Sequence, residues 1–231
     1  REVDVIMLTE CANSSAELLT ALNQSGGAEY DYAPGTGCEK IEIFSKFSGK
    51  FILPVLENHR LTIRHLNLPG VTDILLAVVH FPDKRNWSES SQAAECSELS
   101  YSVRSAEKRI GHSGTVLVGD LNMNPFDAGV VNANGLNGVV CQRIAQRKKR
   151  TVQSRSYPFF YNPMWNLMGD VSPGPPGTYY YASSEHTALF WHMSDQVLIR
   201  PDLLKCFSNA DLEILCSDGE TSFLSPKGLP D

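Results

Sequence analysis

The chain has 231 residues, of which 42% are hydrophobic and 20% charged. That is the balance of an ordinary globular protein, and the length suits one α/β domain over residues 1–231 with a sizeable core. A formal net charge of −6 excludes a general nucleic-acid coat while leaving room for a local basic groove. No apolar run approaches a membrane span, so no membrane partner is expected.

Residues 3–10 form the first expected strand. Ser14 followed by Glu17 is a capping-box pattern that starts a helix, with Leu18, Leu19 and Leu22 on its apolar face and Gly26-Gly27 ending it. A loop with Pro34, Gly35 and Gly37 leads into a strand at 41–44. Strands at 61–68 and 72–80 flank Pro69-Gly70-Val71, a hairpin signature. The spacing of Leu99, Val103, Ala106 and Ile110 predicts a helix over 90–110. His112-Ser113-Gly114 turns into a strand that begins at Thr115. The stretch 142–177 reads as irregular, and strands follow at 178–181 and 195–201. Hairpins mixed with packed helices imply an α/β fold with two β-sheets face to face and helices outside. The six cysteines form no CxxC pair, which argues against a zinc ribbon and for reduced thiols in a cytoplasmic protein.

Polar residues gather at the strand ends. After Val116-Leu117-Val118, Gly119 lets the chain turn, Asp120 and Asn122 follow, and Pro125 stops regular structure. In an extended chain residues i and i+2 point the same way, so Asp120 and Asn122 are expected side by side. A carboxylate beside an amide is poor core chemistry and suits a site that orients water or grips a phosphate oxygen. Glu10 and His80 end two other strands, and Asp195 opens a later one. Rigid sheet ends are places where such groups converge.

This series resembles the endonuclease/exonuclease/phosphatase superfamily, over about residues 3–204, and the resemblance implies a four-layer α/β/β/α sandwich of two mixed β-sheets packed face to face with helices outside. Leu8-Thr9-Glu10 is similar to that family's strand ending in Gln/Thr-Glu, and Val78-Val79-His80 to its strand ending in His. Gly119 to Pro125 match its Gly-Asp-x-Asn-x-x-Pro motif in full, and Asp195 to Ile199 its Asp-x-hydrophobic-hydrophobic strand. The family also carries a metal-site Asn on a strand before the one ending in Glu, and a closing Ser-Asp-His. Neither is in this chain, from which we expect a domain trimmed at both ends, a decayed site being the alternative. Ser194-Asp195-Gln196 has the outline of Ser-Asp-His, but the strand after it matches the earlier family strand instead.

The resemblance implies Glu10 as a ligand for Mg²⁺ or Mn²⁺, a hard-oxygen site that Asp120 shares. It implies that Asp120 positions or deprotonates the attacking water and that Asn122 contacts phosphate or metal-bound water. It implies that Asp195 hydrogen-bonds the imidazole of the absent His. His80 either stabilises charge on a non-bridging oxygen or is a satisfied strand-end histidine. His186 and His192 read as loop residues, and His59, His65 and His112 as structural or exposed. Arg147, Lys148, Lys149 and Arg150 either track a phosphate backbone or form a solvated loop. Nearby Tyr157, Phe160, Tyr161 and Trp165 include one or two rings able to stack on bases, the rest being core. The expected activity is metal-dependent phosphodiester hydrolysis by a monomeric nuclease acting on DNA or RNA. A phosphatase or phosphodiesterase for a lipid head group, inositol phosphate or nucleotide is the first alternative, and an inactive binding module the second.

Overall fold

A computed structural model describes residues 3–24 and 29–230. The chain divides into two compact units, one of Arg1–Phe81 with Tyr101–Gly119, the other of Pro82–Ser100 with Asp120–Asp231.

The first unit is built on two sheets. β1 (Val5–Thr9), β2 (Asp31–Tyr32) and β3 (Ile41–Ser45) pair antiparallel in the order β1-β3-β2. β4 (Ile52–Asn58), β5 (Leu61–Leu66), β6 (Ile74–His80) and β7 (Thr115–Asp120) are hydrogen-bonded neighbours in that order. Side chains alternate along a strand, so each has two faces to satisfy. Ile41 and Ile43 of one sheet meet Ile52, Leu76 and Val78 of the other in a single apolar cluster, with Val5, Met7, Val116 and Val118 against it. The two sheets therefore pack face to face, as expected. Leu75, Ala77 and Val79 point the opposite way along β6 and are buried as well. Burial on both faces explains the unbroken apolar run of this strand, each side chain contributing about 1.5–3 kcal/mol.

Helix α1 (Ser15–Gln24) begins as its sequence requires. The Ser14 amide and hydroxyl donate to Glu17 Oε2 at 2.9 Å, and the Glu17 amide donates back to Ser14 Oγ at 3.3 Å. The Gly26-Gly27 stop lies outside the described residues. Helix α2 (Glu89–Ile110) runs from one unit into the other. Within the first unit it covers the outer face of the larger sheet: the Thr115 hydroxyl donates to Glu107 at 2.8 Å, and Arg109 donates to the Val55 carbonyl at 2.7 Å. Leu99, Val103 and Ala106 form its buried stripe.

One hairpin, β4 with β5, had no counterpart in the sequence reading. Its register shifts between Pro54 and Leu56, where proline has no N–H to give the ladder and the alternation breaks. A buried ion pair holds it, Arg64 Nη2 to Glu57 Oε1 at 2.8 Å with the side chains 2% and 5% exposed. Thr36 and Gly37 amides and the Thr62 hydroxyl also donate to Glu57. Burial opposes charge on Glu57, but the bonds from Thr36 and Thr62 and the Arg64 charge outweigh it and hold the carboxyl below its ordinary range.

The second unit has a mixed set of strands. β8 (Gly138–Val139) runs parallel to β11 (Phe160–Tyr161), which pairs antiparallel with β14 (Asp195–Ile199). Between them β9 (Lys149–Val152) and β10 (Arg155–Pro158) form a hairpin, and β12 (Tyr179–Tyr180) with β13 (Trp191–His192) another. The expectation of irregular structure over 142–177 is corrected by the first hairpin. Gln153 and Ser154 close it with φ of 46° and 63°, a two-residue turn usually made by Asn or Gly, so the sequence carried no turn signal. Met164, Leu167 and Met193 centre an apolar cluster with Met168, Val197, Leu212 and Ile214. All six cysteines are free thiols. Among the described residues no helix is long and apolar enough to cross a membrane.

Candidate functional site

In the first unit, β1 and β6 deliver Glu10 and His80 to one place. His80 Nε2 lies 3.2 Å from Glu10 Oε1, the imidazole 6% exposed and the carboxylate 74% exposed. The main chain of His80 is fixed from both sides, its amide donating to the Arg60 carbonyl at 3.0 Å and its carbonyl accepting from Arg60 Nη1 at 3.2 Å. Glu10 has φ 56°, a left-handed conformation that a non-glycine residue adopts at a cost. It turns the chain just past β1 and presents a carboxylate to solvent with one oxygen on a buried ring.

Gly119, at the end of β7, has φ 139°, and a Cβ there would lie 1.9 Å from the Val79 carbonyl oxygen. Only glycine permits this approach.

In the second unit, Asp120 and Asn122 are together, but not for the reason read from the sequence. The chain is not extended through them: Asn122 has φ 50°. Asp120 Oδ1 accepts the Asn122 amide at 2.7 Å and Oδ2 accepts its side-chain Nδ2 at 2.8 Å. This is an Asx-type turn, in which the carboxylate caps the backbone two residues on. Leu121 and Met123 on either side of Asn122 are buried.

The loop is stitched to the segment before β14. The Leu121 amide donates to the Ser194 carbonyl at 2.9 Å, and the Met193 amide to Asn124 Oδ1 at 3.0 Å. Asn124 Nδ2 meets His192 Nδ1 at 3.1 Å, and the Asn124 amide donates to Asp127 Oδ2, which also binds Lys84 Nζ at 2.7 Å. Gln196, 1% exposed, donates to the Met123 and Met193 carbonyls at 2.6 and 3.1 Å and accepts from Asn162 at 2.8 Å. Asp195 is exposed, its amide held by the Thr178 hydroxyl at 3.0 Å. The site segment of this unit thus contains Asn124, His192, Lys84, Asp127 and Gln196, none of which the sequence reading assigned to it. Their roles depend on partners far away in sequence, and Asn124 alone had a local signal, as the second Asn before Pro125. Burial first, then Lys84, pushes the His192 ring below its ordinary pKa, with Asp127 opposing.

Two substrate-binding expectations meet the structure differently. Tyr161 is 2% exposed, its hydroxyl donating to Asn209 at 3.0 Å and its ring edge-on to Phe207. It is a core residue with no face left for a base, which corrects its assignment. Lys148 is tied to Asp202 at 2.6 Å and Arg150 donates to the Val131 carbonyl at 2.6 Å. Arg147, Lys149 and Arg155 are exposed. Trp165 is half-buried, its ring 5.9 Å from that of Phe126, which is 41% exposed.

No protein-family model matches the chain, and no curated protein does. Among solved structures it is similar to truncated Caenorhabditis elegans TDP2, at 13% identity over 86% of this chain and 71% of that one with a TM-score of 0.45. It is similar to the human Nocturnin catalytic domain with bound sulfate anion, at 14% identity over 84% and 68% with a TM-score of 0.46. An AP endonuclease from Archaeoglobus fulgidus aligns at 14% identity over 87% and 78% with a TM-score of 0.47. Against another structure of TDP2 from C. elegans, at 17% identity with a TM-score of 0.37, the match covers 54% of this chain and spans only 39% of that one.

Proposed function

We propose that this chain is the hydrolytic domain of a divalent-metal-dependent phosphodiesterase acting on nucleic acid. The observation that carries the reading is the Asp120–Asn122 turn: a carboxylate oriented by two donors, immediately after a strand end that only glycine can make. A rigid, pre-oriented carboxylate is what positioning a water nucleophile requires. The Asn122 amide that holds this carboxylate is the proposed donor to a phosphate oxygen.

The residues present fit Mg²⁺ or Mn²⁺. The carboxylates of Glu10, in the first unit, and of Asp120, in the second, are each hard-oxygen ligands of the kind these ions take. When bound, such an ion neutralises phosphate charge. His80 restrains the Glu10 carboxylate, and Asp195 supplies a second exposed carboxylate on the segment joined to the Asp120 loop. Arg147, Lys149 and Arg155 around the β9–β10 hairpin favour a polyanionic substrate, and the Phe126–Trp165 pair offers partly exposed rings for a base.

The test is hydrolysis by the complete protein with Mg²⁺ and Mn²⁺, on single- and double-stranded DNA, RNA and a bis-aryl phosphodiester. Cleavage of a nucleic acid that EDTA, Asp120→Ala and Glu10→Ala each abolish, with the fold intact by circular dichroism, is the expected result. Activity confined to the small ester moves the substrate to lipid or nucleotide phosphodiesters. Near wild-type turnover in either variant overturns the site.

A further inference from the structure

We propose that His65, Asp73 and His112 form a binding site for one transition-metal ion of the Zn²⁺ class, independent of the hydrolytic residues. A ring nitrogen from each histidine and a carboxylate oxygen of Asp73 all lie within 4.8 Å of one another. His65 Nε2 is 3.5 Å from Asp73 Oδ2. The three residues come from parts the fold holds together within the first unit. His65 lies on β5 opposite Leu75, Asp73 directly precedes β6, and His112 sits in the turn entering β7, which the Leu75 amide ties down by donating to the Gly114 carbonyl at 2.8 Å.

The second observation is chemical. Nε2 of His65 and Nε2 of His112 are both buried and, among the described residues, have no hydrogen-bond partner. Buried polar atoms are almost always satisfied, and two imidazole nitrogens in one cluster without a hydrogen bond, one of them 3.5 Å from the Asp73 carboxylate, call for a group that both can bind. The rings are neighbours, with centroids 5.8 Å apart. Two imidazoles and a carboxylate suit Zn²⁺ or Co²⁺, whereas Mg²⁺ prefers an all-oxygen shell. Ligand bonds of about 2.0–2.2 Å put tetrahedral donor atoms roughly 3.3 Å apart, so modest side-chain rotation closes the set. Asp73, with its side chain 42% exposed, gives the ion its path in and leaves a position for water. The Gly114 amide donates to His112 Nδ1 at 3.1 Å, one hydrogen bond that the ring exchanges for a metal–nitrogen bond on loading.

The position says what the ion does. His80 lies five residues along β6 from Leu75, roughly 17 Å at the strand rise, so this cluster is remote from Glu10. The ion cross-links the β5–β6 hairpin to the turn before β7, and its role is structural.

The experiment titrates the chelator-stripped full chain with Zn²⁺ and with Co²⁺ at neutral pH, by calorimetry, absorption and thermal melting. The expected result is one ion per chain and a raised melting temperature. The cobalt spectrum should show visible d–d bands without thiolate charge transfer, which sets the site apart from the six free cysteines. His65→Gln, Asp73→Asn and His112→Gln should each lower the affinity by at least about tenfold. Should a histidine variant fail to fold by circular dichroism, Asp73→Asn decides, since that residue lies outside the strands. No binding by the wild type, affinity unchanged in Asp73→Asn, or a thiolate spectrum would overturn the site. Hydrolytic activity is not among the readouts, so failure of the phosphodiesterase reading leaves this test intact.

Discussion

Replacing Gly119 by alanine isolates how the end of β7 is made. A φ of 139° lies where an L-residue is strained by about 1–3 kcal/mol. The new Cβ would also stand 1.9 Å from the Val79 oxygen and 2.9 Å from its carbonyl carbon. That neighbour is backbone inside a buried strand and cannot swing aside, so relief requires prising β7 from β6. Each ladder hydrogen bond lost on the way costs about 1 kcal/mol. Two such bonds added to the strain give a destabilisation of about 4 kcal/mol, which at 2–4 °C per kcal/mol lowers the melting temperature by about 8–16 °C. Urea unfolding and thermal melts measure it. Gly70→Ala is the control, since φ there is 78° and a Cβ would meet nothing within 4 Å, leaving conformational strain of about 1–2 kcal/mol. If Gly119→Ala costs no more than Gly70→Ala, the close approach to Val79 is not what demands glycine.

Other perturbations test other contacts. Glu57→Gln should cost about 3–5 kcal/mol in denaturant unfolding, because it leaves the buried Arg64 guanidinium without its counter-charge; a loss under 1 kcal/mol would show the pair to be dispensable. Tyr161→Phe should cost about 1 kcal/mol through the lost bond to Asn209 and leave nucleic-acid affinity unchanged, whereas weakened binding would restore the ring to the substrate surface. The His192 pKa is lowered by folding, so the unfolded chain takes up the proton first as pH falls. The contribution of a neutral His192 is therefore complete above the unfolded value of about 6.5, declines as pH falls through it and levels off below the folded value. His192→Asn should flatten that part of the stability–pH curve, and an unchanged slope would mean the ring is not the group responsible.

Where structure is local, the sequence was a good guide. The Ser14–Glu17 capping box, the 3.6-residue stripe of α2 and the β5–β6 hairpin needed only neighbours in the chain to form, and all three are present. The β9–β10 turn escaped because Gln153 and Ser154 adopt positive φ without the residues that usually signal it. At the candidate site the pairing of Asp120 with Asn122 was legible while its geometry was not. Strand periodicity placed them together, and a side-chain cap on a left-handed residue is what joins them. Tyr161 misled because composition cannot separate a stacking ring from a core ring; only the packing around β11 does.

Gln196 binds the segment before β14 to the loop that follows Asp120. Adjacent side chains on a strand face opposite ways, and here Asp195 is exposed while Gln196 is buried among backbone carbonyls that it binds as a donor. A histidine at 196 would point away from Asp195 and, with one N–H when neutral, would lose one of the two donors that the amide gives these carbonyls.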